Sequence, residues 1–368
     1  MGGCLGRPPE AGRAEAAGSR RWSTGSVRNN PAGIAGFAGA TLGATKHQDR
    51  FQIVPDLVAN TNILFCGVFD GHAEEGGVLA ERASSWIPRV LRSRLKWLGE
   101  GGGAQELDEF DRQARLDLTQ TFTDFQAVLA DEYENQVAKP VEDMRLAMQA
   151  SQGIDLPKLL PMKGGTTATT VVVAGNFLAV ASVGDSRAVL CCLTDENSVS
   201  AIDLTHDHNV SNEAERARAE AAGGVVVGSH IAVDEADGLV QVTRSLGDVP
   251  HHRNDIVTAR PEVAAAELDN TQHAFVLVAS DGVWACFSSS DVVRRTYSRL
   301  HLELAPHGRQ APHQLLETAL LKACRAFEAE VAEFCAEQGS RRDDVVVCIL
   351  AVQGFDFARV PQSCAPLS

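Results

Sequence analysis

The sequence predicts a layered α+β fold rather than a doubly wound parallel sheet. Three stretches, TATTVVVAG, FLAVASVGD and RAVLCCL, follow one another within residues 167–193, separated only by turn residues, as in an antiparallel meander. Further apolar runs, ILFCGVFD at 63–70 and others at 275–280 and 345–352, are bounded by polar residues and Gly and read as buried strands. Helical periodicity frames these strands instead of alternating with them one for one.

Taken in order, residues 1–30 hold five Arg, two Glu and little to bury, so a disordered basic leader of net +3 is expected there. Its start, MGGCLG, offers Gly2 for myristoylation and Cys4 for palmitoylation, with Gly6 where the motif prefers Ser or Thr. Two acyl chains and the Arg residues would give peripheral contact with an anionic membrane surface; a plain leader is the competing expectation. The globular pattern begins near Gly36, and the main domain is placed at 31–354 with a tail at 355–368. A helix is expected near 76–95. Leu107, Phe110, Leu116, Leu118, Phe122, Phe125 and Leu129 recur at helical spacing, which predicts a long amphipathic helix over 105–137 with room for one break. Pro140, Pro157 and Pro161 mark an irregular stretch. After the meander, a helix at 211–222 stops at Gly223 and Gly224, and a final helix is expected over 312–338.

The chain of 368 residues has 44% hydrophobic and 22% charged residues, which argues for a substantial core. A formal charge of -15 leaves no cationic surplus for phosphate backbones, so general nucleic-acid binding is not expected. Nine cysteines without a CxxC pair fit reduced thiols and a cytoplasmic setting, with the nucleus left open. A monomer is the default expectation.

Asp49, Asp70, Asp185, Asp281 and Asp343 each lie at or beside a short apolar run. Any one of them is more simply a turn residue capping its own backbone. As a set at strand ends, they suit hard cations such as Mg²⁺ or Mn²⁺, which prefer oxygen ligands and can clamp a phosphate.

The motifs FCGVFDGH (65–72), GGTTAT (164–169), VGDSRAVL (183–190), LTHDHN (204–209), RSLGD (244–248), RPEV (260–263), ASDGVW (279–284) and SRRDDVVV (340–347) follow in one order. Each is weak alone; eight in order from about Asn30 to Val352 resemble the metal-dependent Ser/Thr protein phosphatases of the 2C type. The resemblance implies a four-layer α-β-β-α sandwich of two antiparallel sheets flanked by helices, with a binuclear centre at one end. It implies two Mg²⁺ or Mn²⁺ ions held by Asp49, Asp70, the Gly71 carbonyl, Asp281 and Asp343, and hydrolysis of phosphoserine or phosphothreonine in proteins by a metal-bridged hydroxide. His72 resembles the general acid, a role suited to an imidazole. The histidines of LTHDHN, His206 and His208, are read as structural.

Three departures bear on activity, and a fourth difference, Gln48, is one that the family tolerates. Ala44 stands where relatives often have a basic phosphate-holding residue, leaving Lys46 as the nearest substitute. Gln48 replaces a common Glu. Ala285 replaces the carboxylate of a third, weaker ion site to which Asp185 would contribute. An acidic flap within 227–243, carrying Asp234, Glu235 and Asp237, would disfavour acidic substrates by repulsion. Two rivals stand beside the phosphatase: a Ser hydrolase using Ser186 of GDSRA, and a pseudophosphatase acting as a binding scaffold.

Overall fold

The computed structural model describes residues 21–26, 33–42, 46–99, 106–135, 163–194, 198–233 and 238–359. Two antiparallel sheets form the centre. The first has six strands in the order β1 (Arg21–Ser26), β2 (Ile34–Leu42), β17 (Val345–Val352), β16 (His273–Ala279), β9 (Arg187–Leu193) and β10 (Val199–Asp203). The second has five, in the order β15 (Glu262–Glu267), β8 (Phe177–Val183), β7 (Ala168–Ala174), β4 (Leu64–Phe69) and β3 (Arg50–Val54).

Strand periodicity explains how the layers stack. Along β17, Val346, Cys348 and Leu350 point between the sheets, against Leu64, Cys66 and Val68 of β4. The alternate residues Val345, Val347 and Ile349 point outward into a second cluster. There they meet helices α5 (Ser289–Leu304) and α6 (His313–Gln338), through Tyr297, Leu300, Leu320 and Phe327. Phe65 and Phe69, facing the other way from β4, pack with α1 (Gly76–Arg94) and α2 (Leu107–Tyr133) in a third cluster. Three apolar clusters between four layers are the expected helix-sheet-sheet-helix order. Helix α3 (Glu213–Ala221) covers a smaller cluster with Ile231 and Val240 of the ribbon β11 (Val225–Val227), β12 (His230–Ala232) and β13 (Leu239–Val240).

The expected helices form at nearly the expected bounds: α2 runs unbroken, α3 is capped by the Asn212 side chain, and α6 ends on left-handed Gly339. Three expectations need correction. The meander is split: β7 and β8 pair in the second sheet, whereas β9 crosses at Gly184–Asp185 to pair with β16 and β10 in the first. All three strands are apolar on both faces, so periodicity could not assign them to one sheet. Residues 21–26, assigned to the leader, form edge strand β1 on β2, with the Arg325 guanidinium 5.2 Å from the Trp22 ring. Phe355 and Phe357, assigned to the tail, are buried against Tyr297.

Candidate active site

The proposed site residues come together at one end of the sandwich, and the strand registers put them there. Arg50 of β3 pairs with Phe69 of β4, so Asp49 and Asp70 emerge side by side. Ala279 of β16 pairs with Val347 of β17, and Ser280 Oγ accepts the Val346 N–H at 3.0 Å. Asp281, opening the short helix α4 (Asp281–Trp284), therefore faces the Asp343–Asp344 pair that precedes β17. Asp185 sits in the turn where the chain crosses between sheets. Beyond Asp70 the backbone continues as β5 (Gly71–His72), joined by β6 (Gly165–Thr166) to β14 (Leu246–Gly247). The Asp70 carbonyl accepts from Thr167 N at 2.8 Å and Thr166 Oγ1 at 3.0 Å. A Cβ on Gly71 would overlap the backbone of Gly76, so only glycine fits there.

Electrostatically the cluster is self-opposing. Burial drives Asp49 up to about 7, helped by Asp344 and Asp281 and opposed by hydrogen bonds with Ser280 and Asp70. Asp70 is held well above the usual carboxylate range by burial, then by Asp49 and Asp281. Asp185 is pushed up to about 7 by burial, Asp281 and Asp207. Burial also raises Asp281, while its hydrogen bond with Asp70 opposes this. Among the described residues, no three or more His, Cys, Asp or Glu are drawn together as a ready-made metal cage. The carboxylates approach pairwise, and Asp343 and Asp344 are partly engaged elsewhere: Lys46 Nζ lies 3.2 Å from both Asp343 oxygens, and Gln48 N donates to Asp344 Oδ2 at 2.7 Å.

The donor set nevertheless fits hard cations. It is entirely oxygen, and Asp49 Oδ2 is buried without a hydrogen-bond partner, which costs about 1–3 kcal/mol unless something positive satisfies it. Repelling carboxylates crowded below the surface are also what a divalent ion would relieve.

His72 is joined by a residue that sequence reasoning missed. Its Nε2 lies 2.7 Å from Asp248 Oδ2, and the same oxygen accepts Ser245 Oγ at 2.6 Å. Burial pulls the imidazole pKa down, but Asp248, with Asp185 and Asp281 behind it, outweighs that and raises it above its ordinary value. Asp248 is correspondingly lowered, its own burial overcome by His72 and Ser245. RSLGD was visible as a motif, but nothing in it signals a partner 176 residues away.

Other candidates separate from the site. Ser186 is fully buried and bonded to Thr167 Oγ1 at 2.8 Å, a framework hydroxyl rather than an exposed nucleophile. His206 and His208 flank Glu262, at 2.9 and 3.4 Å. Ala285 is exposed, its N–H bonded to the Asp281 carbonyl. Gly2, Cys4, Ala44, Asp234, Glu235 and Asp237 lie outside the described residues. Among the described residues, no helix is long and apolar enough to cross a membrane.

The chain is also similar in sequence and in fold to known proteins. Over 253 residues the chain is 30% identical to protein phosphatase 1L of Bos taurus, covering 69% of this chain and 60% of that protein. Over 302 residues it is 29% identical to probable protein phosphatase 2C 73 of Oryza sativa subsp. japonica, covering 79% and 68%. The serine-threonine phosphatase 2C structure from Toxoplasma gondii shares the fold, with a TM-score of 0.64 and 20% identity over 91% of this chain and 99% of that one. The protein phosphatase 2C family model matches residues 98–326, a stretch holding Asp185, Asp248 and Asp281, and the chain belongs to that family.

Proposed function

We propose that the chain hydrolyses phosphoserine and phosphothreonine in phosphoproteins, using divalent metal ions. The observation that carries this is the gathering of Asp49, Asp70, Asp281 and Asp343 from both sheets beside the His72 imidazole. Two Mg²⁺ or Mn²⁺ ions held by these carboxylates and the Gly71 carbonyl, with Asp185 as a candidate donor to a third, would supply Lewis-acid stabilisation of phosphoryl charge and an activated water. His72, partly exposed and bonded to Asp248, which raises its pKa, would protonate the departing Ser or Thr oxygen. Lys46 Nζ neutralises Asp343 and feels Asp70 and Asp281, so a bound phosphate would share it with the carboxylates. Lys46→Ala should therefore raise KM about threefold to tenfold with a smaller change in kcat. An unchanged KM would remove Lys46 from substrate binding.

The deciding experiment is turnover of a phosphothreonine peptide by the purified chain with Mn²⁺, with Mg²⁺ and with EDTA, beside Asp281→Asn. Metal-dependent turnover that falls at least about 100-fold in the variant is expected. No turnover under any metal, with the fold intact by circular dichroism, would sink the enzyme and leave the scaffold role that Ala285 motivates. Peptides with basic flanks should be preferred over acidic ones if the flap acts by charge; equal rates would dismiss it.

A further inference from the structure

Asp248 does not reach its place by chance of packing. Its backbone is left-handed, with φ at 43° and ψ at 37°, an uncommon state for a non-glycine residue. The preceding residue is gripped from α2 by a single side chain: Gln126 Nε2 donates to the Gly247 carbonyl at 2.9 Å, and Gln126 Oε1 accepts the Gly247 N–H at 2.8 Å. Gly247 N–H and C=O are thereby both committed to one buried amide. The Asp248 N–H donates to the Gly164 carbonyl at 2.8 Å, and Ser245 Oγ donates to Oδ2 at 2.6 Å. A Cβ on Gly165 would overlap the Asp248 carboxylate, so the small residue there keeps the space. Four separate restraints hold one buried carboxylate against His72 Nε2 at 2.7 Å.

We propose that Asp248 is the positioning residue of this site, and that Gln126, through its two-bond clamp on Gly247, sets where Asp248 can stand. The proposal rests on the phosphatase function above. With Asp248 accepting from Nε2–H, the transferable proton resides on Nδ1. In the chemical step the Nδ1–H bond breaks, its electron pair stays on Nδ1, and the proton joins the departing Ser or Thr oxygen as the P–O bond breaks. The neutral ring keeps its Nε2–H on Asp248, ready for reprotonation at its partly exposed side. Without Asp248 the ring is free to turn and to carry its proton on the wrong nitrogen, and Gln126 loss would produce a milder form of the same defect.

Leaving-group dependence tests this. A peptide alkoxide needs the proton, whereas the nitrophenolate of p-nitrophenyl phosphate departs without one. Asp248→Asn should lower kcat on a phosphothreonine peptide about 30-fold to 1000-fold, but on p-nitrophenyl phosphate less than about threefold, with KM nearly unchanged. Gln126→Leu and Ser245→Ala should show the same selective loss, about threefold to 30-fold, and keep the test alive if Asp248→Asn folds poorly. In a His72→Ala background, Asp248→Asn should cost almost nothing more. Imidazole nitrogen NMR of the chain in EDTA should find His72 protonated at Nε2, and mixed tautomers in Asp248→Asn. Equal losses on both substrates, or an undiminished effect in the His72→Ala background, would overturn the positioning role while leaving the phosphatase standing. Absence of turnover by the wild-type chain on both substrates would overturn the phosphatase and this role with it.

Discussion

Glu215 shows how a single side chain can hold the segment that leads to Asp248. It is buried to 5% exposure at the start of α3, where Arg244 Nη2 lies 2.6 Å from Oε1 and Thr243 Oγ1 donates to Oε2 at 2.8 Å. Burial would raise its pKa, yet Arg244, Thr243 and Arg218 overcome this and lower it to about 2 from 4.5. A depressed carboxylate contributes stability that is fully present above the unfolded value of 4.5 and fades as pH falls towards 2. Glu215→Gln should therefore cost on the order of 3 kcal/mol at pH 7 and markedly less at about pH 3, read from urea midpoints at each pH. The same cost at both pH values would mean that shape, not charge, is what Glu215 supplies. At this scale the sequence shows some residues and hides others. Asp49, Asp70, Asp281 and Asp343 stand out because each adjoins an apolar run. Asp248, Ser245 and Gln126 do not, because their role depends on a left-handed turn and a helix brought together only by the fold.

Helix α4 is short, yet it aims Asp281. Trp284 anchors it by donating Nε1–H to the Ala279 carbonyl at 2.7 Å, with the Arg187 guanidinium 5.5 Å from the ring. On its other side Gly282 lies so close to the Asp344 carbonyl that an added Cβ would collide with it, and backbone on both sides leaves little room to yield. Gly282→Ala should destabilise the chain by about 1–3 kcal/mol and shift Asp281 out of register, lowering phosphopeptide turnover at least about tenfold. A melting temperature and turnover both equal to wild type would show that the collision is relieved at no cost. Elements differ in legibility for a related reason. The apolar stripe of α2 survives in the sequence because one face alone is buried, although Leu116, counted in that stripe, is exposed on the other face. Strand β2, IAGFAGATL, does not read as a strand, since Gly36 and Gly39 weaken the pattern. They are small because Leu316 and Phe51 occupy the space their side chains would need.

Across the whole molecule, the two sheets meet the same cluster from opposite sides. Asp49 and Asp70 belong to the second sheet, Asp281 and Asp343 to the first, and Asp185 to the crossing between them. The four-layer order was implied by the motif succession, but the split of the meander between sheets was not, and that split is what brings Asp185 to the cluster. Without cations these carboxylates oppose docking of the sheets at this end, because charge is confined among like charges; burial and mutual repulsion raise Asp49, Asp70 and Asp185 together. An ion bound there would join the sheets and add folding stability by mass action, about 2.7 kcal/mol at 100 times its dissociation constant. For a domain of this size, Mn²⁺ should then raise the melting temperature by about 4 °C, and EDTA should reverse the gain. Asp281→Asn separates the two effects by sign. Removing one repelling charge should raise the melting temperature of the EDTA-treated chain, while losing a ligand should shrink the Mn²⁺ gain to about 1 °C or less. Scanning calorimetry of both chains with and without Mn²⁺ decides the matter: if the variant is less stable in EDTA and gains as much from Mn²⁺ as the wild type, the cluster neither repels itself nor binds the ion.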